Sequence, residues 1–310
     1  MTYFTHEKHY NTINNYYKTT YNKKVYKISL NSNFTCPNKD GTKGHGGCIY
    51  CSKSGSGDFA GDVNKPLKEQ FFEIKNMMEK KWSDGLLISY LQANSNTYAS
   101  YEELKKIYNE VISYDEKIVG LSIATRCDCF NDEIFDLLSE MNKKTDLTIE
   151  LGLQTTNDKT SKLINRCHTL EEFEQTVNRL ISLDIKVVVH IINGLPYETK
   201  EDMINTCKYL NKFNLFGVKI HMLFITKNTM LEHYYYKTNF HVLTLEEYVD
   251  ITVNQLRVLN PNFIILRLTG DADRNDLIEP QWTLKKLVVM NEIDKLMRKN
   301  NYFQGDLYFI

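Results

Sequence analysis

The feature that most constrains the fold is an alternation. Short β-branched runs recur along the chain: VYKISL (25–30), LLISYL (86–91), IVGLSIA (118–124), LTIELGL (147–153), KVVVHII (186–192) and GVKIHML (217–223), with FIILRL (263–268) a candidate seventh. Amphipathic stretches separate them, with apolar residues at helical spacing: Leu67, Phe71, Ile74 and Met78 in one, Leu104, Ile107 and Val111 in another. Four stretches open with a hydroxyl residue and a carboxylate three positions on: Ser100–Glu103, Thr169–Glu172, Thr199–Asp202 and Thr244–Glu247. Each pair predicts a capping box at a helix start. Strand and helix alternating six times imply a parallel sheet joined by right-handed crossovers. Two α/β architectures satisfy that: an open doubly wound sheet, or a complete or partial β/α barrel.

The 310 residues contain no obvious linker or low-complexity tract, so one domain is expected, residues 25–268. Residues 1–24 form an N-terminal extension and 269–310 a C-terminal, helical one. A formal net charge of −1 excludes a strongly basic nucleic-acid coat, though not a local basic groove. No apolar run approaches the ~20 residues of a membrane span. The N-terminal stretch MTYFTHEKHYNTINNYYK has no apolar segment of the signal-peptide kind, so a cytoplasmic location is expected.

Seven cysteines, an odd number without a secretion signal, argue against a disulfide framework and for metal or redox chemistry wherever they cluster. Three of them, Cys36, Cys48 and Cys51, fall in TCPNKDGTKGHGGCIYCS (35–52), directly after the first strand. Seven of the 14 glycines lie between Gly41 and Gly61, which makes this loop able to turn sharply and to let a bulky ligand approach. Three readings compete: structural zinc with His45 as a fourth ligand, a redox-active Cys48-x-x-Cys51 pair, or an iron–sulfur cluster with one iron lacking a protein ligand. The missing second C-x-x-C pair, and the position at what would be a barrel mouth, favour a site with an open coordination place.

The chain resembles the radical S-adenosylmethionine (SAM) superfamily, and within it the YhcC-like group related to the Elongator catalytic subunit branch. The cysteine loop carries the resemblance together with QANSNTYA (92–99), ATRCDCF (124–130), IELGLQT (149–155), INRCHT (164–169), HIINGLPYET (190–199) and RLTGDADRNDLIEPQW (267–282). It implies a partial (β/α)6 barrel, and a [4Fe–4S] cluster on Cys36, Cys48 and Cys51 with SAM on the unique iron. It also implies one-electron cleavage of SAM to a 5′-deoxyadenosyl radical. The electron would come from a flavodoxin- or ferredoxin-type donor.

By the same resemblance Gln154 would bind the SAM ribose, Arg166 its carboxylate, and His190 and Asn193 other parts of SAM. Gln92 and Asn94 would substitute for the glycine-rich segment that receives the SAM amino group in related enzymes. Arg126 closes the third strand where the family pattern is T-R-P-D; here Cys127 replaces the proline, and Cys129 adds a second thiol. Glu150, Lys219, His221 and Arg267 are ionisable groups in predicted strands; with barrel interiors usually apolar, they are expected at the rim, reaching substrate with Arg126. The acidic GDADRND (270–276) reads either as a capping turn or as a closure over substrate.

The group resemblance suggests a tRNA wobble uridine as substrate, concretely conversion of its 5-carboxymethylaminomethyl group to aminomethyl. Hydrogen abstraction from the methylene would leave a carbon radical delocalised by nitrogen and carboxylate, priming loss of the two-carbon unit. Lysine pairs such as Lys23–Lys24 and Lys143–Lys144, and N-terminal tyrosines able to stack on bases, agree with RNA. The alternatives are a radical enzyme acting on a small metabolite or peptide, and a zinc-stabilised RNA-binding protein.

Overall fold

A computed structural model describes residues 4–55 and 57–308. Seven parallel strands follow one another in space: β1 (Val25–Leu30), β2 (Leu86–Leu91), β3 (Ile118–Thr125), β4 (Asp146–Gln154), β5 (Lys186–Asn193), β6 (Gly217–Met222) and, past a short β7 (Ile225–Thr226), β8 (Ile264–Arg267). A doubly wound sheet would reverse this order at a switch point. Sequential order with right-handed crossovers instead curls the sheet and puts the helices on its outside. The sheet is a curled half-barrel, and its seventh strand is the FIILRL segment, shortened to four residues and paired with β6.

The helices in chain order are α1 (Ile13–Tyr21), α2 (Leu67–Glu79), α3 (Tyr101–Ile112), α4 (Asp132–Asn142), α5 (Asp158–Leu163), α6 (Leu170–Ser182), α7 (Lys200–Leu210), α8 (Met230–Thr238), α9 (Leu245–Val258) and α10 (Lys286–Lys299). Reciprocal capping boxes start α6, α7 and α9 at Thr169, Thr199 and Thr244. The fourth expected box is half made. Ser100 accepts from the Glu103 N–H at 3.4 Å, and the return bond is absent.

The two faces of the sheet differ in chemistry. The outer face carries Ile28, Leu30, Leu87, Leu91, Leu121, Ile123, Ile149, Leu151, Val187, Val189, Val218 and Ile220, all buried in the main core. The inner face carries Lys27, Tyr90, Arg126, Glu150, His190, Lys219 and His221. Burial alternates residue by residue at the end of β4, where Leu151 and Leu153 are buried while Gly152 and Gln154 are half-exposed. The half-barrel therefore has a polar interior in place of the apolar layers of a closed barrel, half-exposed at Gly152 and Gln154 and buried at Tyr90, Glu150 and Lys219.

The floor of that lumen is closed by the N-terminal segment. The Ile265 N–H donates to Asn11 O at 2.7 Å, so the chain before α1 extends the free edge of β8. Helix α1 then crosses below the sheet: Tyr21 Oη donates to Asp146 at 2.9 Å, Lys186 Nζ to Tyr16 Oη at 2.9 Å, and the Tyr16 ring meets Phe216 edge-on at 5.0 Å. These tyrosines face inward, contrary to the expectation that they stack on RNA bases. Packing explains it: parallel strands leave a gap at the bottom of an open barrel, and aromatic rings fill it. The C-terminal segment clasps the same region, with Tyr10 Oη on Asp294 at 3.0 Å and Gln304 Nε2 on Phe263 O at 2.9 Å.

The antiparallel pair β7–β9 (β9, Leu277–Glu279) lies beyond the main sheet. In GDADRND, Asp273 accepts from the Asn275 N–H and Asp271 pairs with Arg267 at 3.3 Å, the turn-forming alternative. Among the described residues no helix is long and apolar enough to cross a membrane.

Candidate functional site

The cysteine loop leaves β1 and folds over the carboxyl ends of the strands. Cys36 starts a turn in which the Lys39 N–H reaches Cys36 O at 2.7 Å, and the Cys51 N–H closes a second turn on Cys48 O at 3.0 Å. Between them Gly46 and Gly47 take φ of +75° and +80°, the left-handed region that glycine enters without strain. All three thiols are free. A hydrogen bond from Cys51, helped by the Arg126 charge, pulls the Cys48 thiol down to about 6. Burial pushes the Cys36 thiol up, against the Arg126 charge.

Arg126, at the end of β3, is held by a two-pronged bond to Asp128, Nε to Oδ1 and Nη2 to Oδ2, both 2.8 Å. Lys43 from the loop joins the same carboxylate at 3.2 Å. Asn38 Nδ2 points at Cys48 Sγ from 3.5 Å and also donates to Asn165 O. Three unbridged thiols, a guanidinium that favours their anionic form and an amide N–H aimed at sulfur suit an iron–sulfur cluster held at three corners. His45 does not complete a zinc site: it is exposed, and its ring lies over Gly41, 2.7 Å from where a Cβ would sit.

At the end of β4 the sheet register slips between Gly152 and Gln154, and Gln154 takes φ +69°. Its amide folds back over Gly152, where a Cβ would come within 2.6 Å of Nε2. Arg166 secures this kink. It is 2% exposed and gives Nη1 to Leu153 O at 2.7 Å and to Thr155 O at 2.6 Å, the carbonyls on either side of Gln154. Its Nε and Nη2 donate to His168 O. With four of its five N–H groups on backbone oxygens, Arg166 braces the strand end in place of the expected open fork toward a carboxylate.

His168 adds Nε2 on Gly152 O at 3.1 Å and Nδ1 on Cys127 Sγ at 3.2 Å, and burial lowers the imidazole to about 4. Cys127 is thereby engaged in the fold, and Cys129 is buried beside it. Glu198, after β5, is a further site residue: Thr155 Oγ1 donates to it, and burial raises its carboxyl to about 7. Neither His168 nor Glu198 stood out in the sequence, because both lie in loops that only tertiary contacts bring to the β4 end.

Deeper in the lumen, Glu150 is the hub of five strands. It is 1% exposed and receives Lys27 from β1, Tyr90 Oη from β2 at 3.0 Å, His190 Nε2 from β5 at 2.8 Å and Lys219 from β6. Burial opposes its charge, yet Lys219 and Lys27 hold the carboxyl well below the usual range. Burial lowers His190 to about 4, and the Lys219 charge adds to this. The His221 ring tilts against His190 at 5.2 Å. Lys27 and Lys219 also sit over the Tyr90 ring at 4.4 and 4.9 Å.

Of the groups expected at the rim, Arg267 is exposed at the open edge of the sheet, level with Lys219 and paired with Asp271. Glu150 and Lys219 are not: both sit in mid-strand, which their mutual pairing makes affordable. His190 accordingly belongs to the lumen floor and is not at the mouth. The Asn193 side chain turns to the outer face, exchanging two 2.8 Å bonds with Gln255 of α9. Gln92 directly follows β2, its N–H on Leu30 O at 3.1 Å. Asn94, at φ +57°, ties the cysteine loop down through its N–H to Gly55 O at 2.8 Å and its Oδ1 to Lys39 at 3.2 Å.

Comparison with known proteins agrees with this geometry. Residues 40–210 match the radical SAM superfamily and residues 216–299 the radical SAM C-terminal domain. The Bacillus subtilis protein YtqA is 41% identical over 302 residues, covering 97% of this chain and 94% of its own. Escherichia coli YhcC is 31% identical over 281 residues, covering 90% and 89%. Among solved structures, the archaeal Methanocaldococcus infernus Elp3 with an N-terminal deletion superposes with a TM-score of 0.67 at 16% identity, over 90% of this chain and 64% of that one. The chain therefore belongs to the radical SAM superfamily, as an enzyme of its YhcC-like group, whose cofactors are a [4Fe–4S] cluster and S-adenosylmethionine.

Proposed function

We propose that this enzyme modifies the wobble-uridine side chain of tRNA, converting a 5-carboxymethylaminomethyl group to an aminomethyl group. The observation that carries the reading is the polar inner face itself: Lys27, Tyr90, His190 and Lys219 converge on the buried Glu150, with His221 against His190, below a mouth with three free thiols. A site of that shape suits a polar arm entering from above, as a flipped base would present one. A distant likeness supports RNA. The tRNA-2-methylthio-N(6)-dimethylallyladenosine synthase of Thermotoga petrophila is 22% identical over 157 residues, 49% of this chain.

In this reading Cys36, Cys48 and Cys51 hold the cluster, with the Arg126 charge and the Asn38 amide toward their sulfurs. When bound, the cluster and SAM supply a 5′-deoxyadenosyl radical that takes a hydrogen atom from carbon. Gln92 and Gln154 present their amides to SAM from the inner face, Asn94 fixes the loop above it, and Arg166 with His168 acts through the carbonyls around Gln154. Arg126, Glu150, Lys219, His221 and Arg267 form the substrate side of the site. The methylene next to the carboxylate is the favoured point of attack, because nitrogen and carboxylate both delocalise the radical left there. That radical would return one electron to the oxidised cluster to give an imine, which water would split into the aminomethyl group and glyoxylate. A flavodoxin or ferredoxin is the proposed source of the electron that radical SAM chemistry needs.

The test is the nucleoside content of tRNA from cells with and without the gene. Loss of the gene should abolish the aminomethyl form and its derivatives and accumulate carboxymethylaminomethyluridine. Unchanged profiles would remove tRNA as the substrate.

A further inference from the structure

The inner face holds more positive charge than its carboxylates balance. At the floor, Lys27 and Lys219 share Glu150, and the other groups facing them, His190, His221, Tyr90 and Tyr17, are neutral there because burial disfavours their charged forms. At the open edge Arg267 and Lys286 share Asp271. With Lys219 protonated the floor carries one positive charge more than Glu150 balances. Lys219 is only 8% exposed and burial lowers it to about 7, so an anion beside it would keep the ammonium charged. An uncompensated buried cation is costly and is normally offset by a partner. A second observation points the same way: His221 Nε2 is buried and has no hydrogen-bond partner among the described residues. A buried ring nitrogen without a partner signals a missing group.

We propose that the lumen floor is a subsite for a monoanionic carboxylate at the end of the substrate, held by Lys219 and Lys27 and by the His221 Nε2–H, with Glu150 positioning both lysines. A carboxylate fits better than a phosphate. One negative charge neutralises the floor, whereas a phosphate dianion would overshoot it beside Glu150. By strand register Lys219 is level with His190 and Gly152, and His221 with Ile192, next to the partner of Gln154, so the subsite runs from Glu150 up toward the strand ends. The substrate class is therefore a molecule with a slim arm ending in a carboxylate, and its reacting carbon lies on that arm, nearer the mouth. The inference rests on the radical SAM reading of the lumen and does not depend on tRNA being the substrate.

The test uses reconstituted holoenzyme with SAM, and acetate, N-methylglycine, inorganic phosphate and methylammonium as probes at matched ionic strength. Saturation-transfer NMR reads which probe binds. The two carboxylates should show transfer that Lys219→Met and His221→Phe each weaken on the order of tenfold, the loss of about one charge-assisted hydrogen bond. Exposed Lys295→Met should leave it unchanged. His221→Phe keeps every lumen charge, so it reports on binding even where Lys219→Met fails to fold, and iron content verifies that each variant is intact. No carboxylate signal, equal signals in wild type and His221→Phe, or preference for phosphate or methylammonium would overturn the proposal. Carboxylate binding together with unchanged tRNA nucleosides would leave this subsite standing and reject the wobble-uridine assignment.

Discussion

Arg166 bonds the carbonyls on both sides of Gln154, a non-glycine residue kept in the left-handed region. Removing the guanidinium takes the donors from the Thr155 and His168 carbonyl oxygens, leaves Leu153 O to the Thr155 N–H, and releases the kink. Arg166→Ala should cost on the order of 3 kcal/mol in urea unfolding, with cluster content retained. Loss of SAM affinity without loss of stability would instead make Arg166 a direct SAM ligand. Glu150 poses the opposite problem, a carboxylate whose removal leaves two lysines facing each other. Glu150→Gln should destabilise the fold by about 3 kcal/mol, the cost of breaking a buried pair from one side.

The pH dependence has two limbs. The folded-state pKa of Glu150 is depressed, so its contribution is present above the ordinary carboxylate range and is lost as pH falls through the folded value. Lys219 is lowered from 10.5 to about 7, chiefly by burial, so between those values the unfolded chain binds more protons. Stability should therefore rise from pH 7 toward 10, and Lys219→Met should flatten that rise in urea midpoints measured across the range. An equal rise in Lys219→Met would place its origin elsewhere. At this scale the sequence revealed identities but not directions. The spacing of Gln154 and Arg166 brought them to one strand end, yet a long side chain can turn outward to a ligand or back to the chain, and only the carbonyl positions decide it.

Elements were far more legible. Each β-branched run became a strand within a residue or so of its sequence limits, because a strand buried on its outer face leaves a continuous apolar signature. The caps were legible for a local reason, since hydroxyl and carboxylate contact the same turn. Thr169→Ala or Thr244→Ala should cost about 1 kcal/mol in urea unfolding, and Ser100→Ala less, because its reciprocal bond is missing. Equal losses at all three would show that the carboxylate arm of the box contributes nothing. The role of the α1 tyrosines is not legible in the sequence, for a nonlocal reason. Its tyrosines look like a free aromatic surface until Asp146, Lys186 and Phe216 are brought beneath them from three other strands or loops.

For the whole molecule, the half-barrel separates two groups of polar residues along its strands. The mouth gathers thiols, Arg126 and the Gln154 kink; the floor gathers charge around Glu150 and is sealed by α1. The polar lumen is only half legible in the sequence, since Glu150, His190, Lys219 and His221 stand out singly as ionisable groups in strands, whereas their convergence requires the curl of the sheet. The most direct test of the central claim is anaerobic reconstitution with iron and sulfide, followed by assay of bound iron and of 5′-deoxyadenosine formed from SAM with dithionite. The wild-type protein should hold one [4Fe–4S] cluster and cleave SAM, while Cys36→Ala, Cys48→Ala and Cys51→Ala should each lose both. A single tetrahedral zinc in the wild type, or full SAM cleavage by any of the three variants, would contradict it.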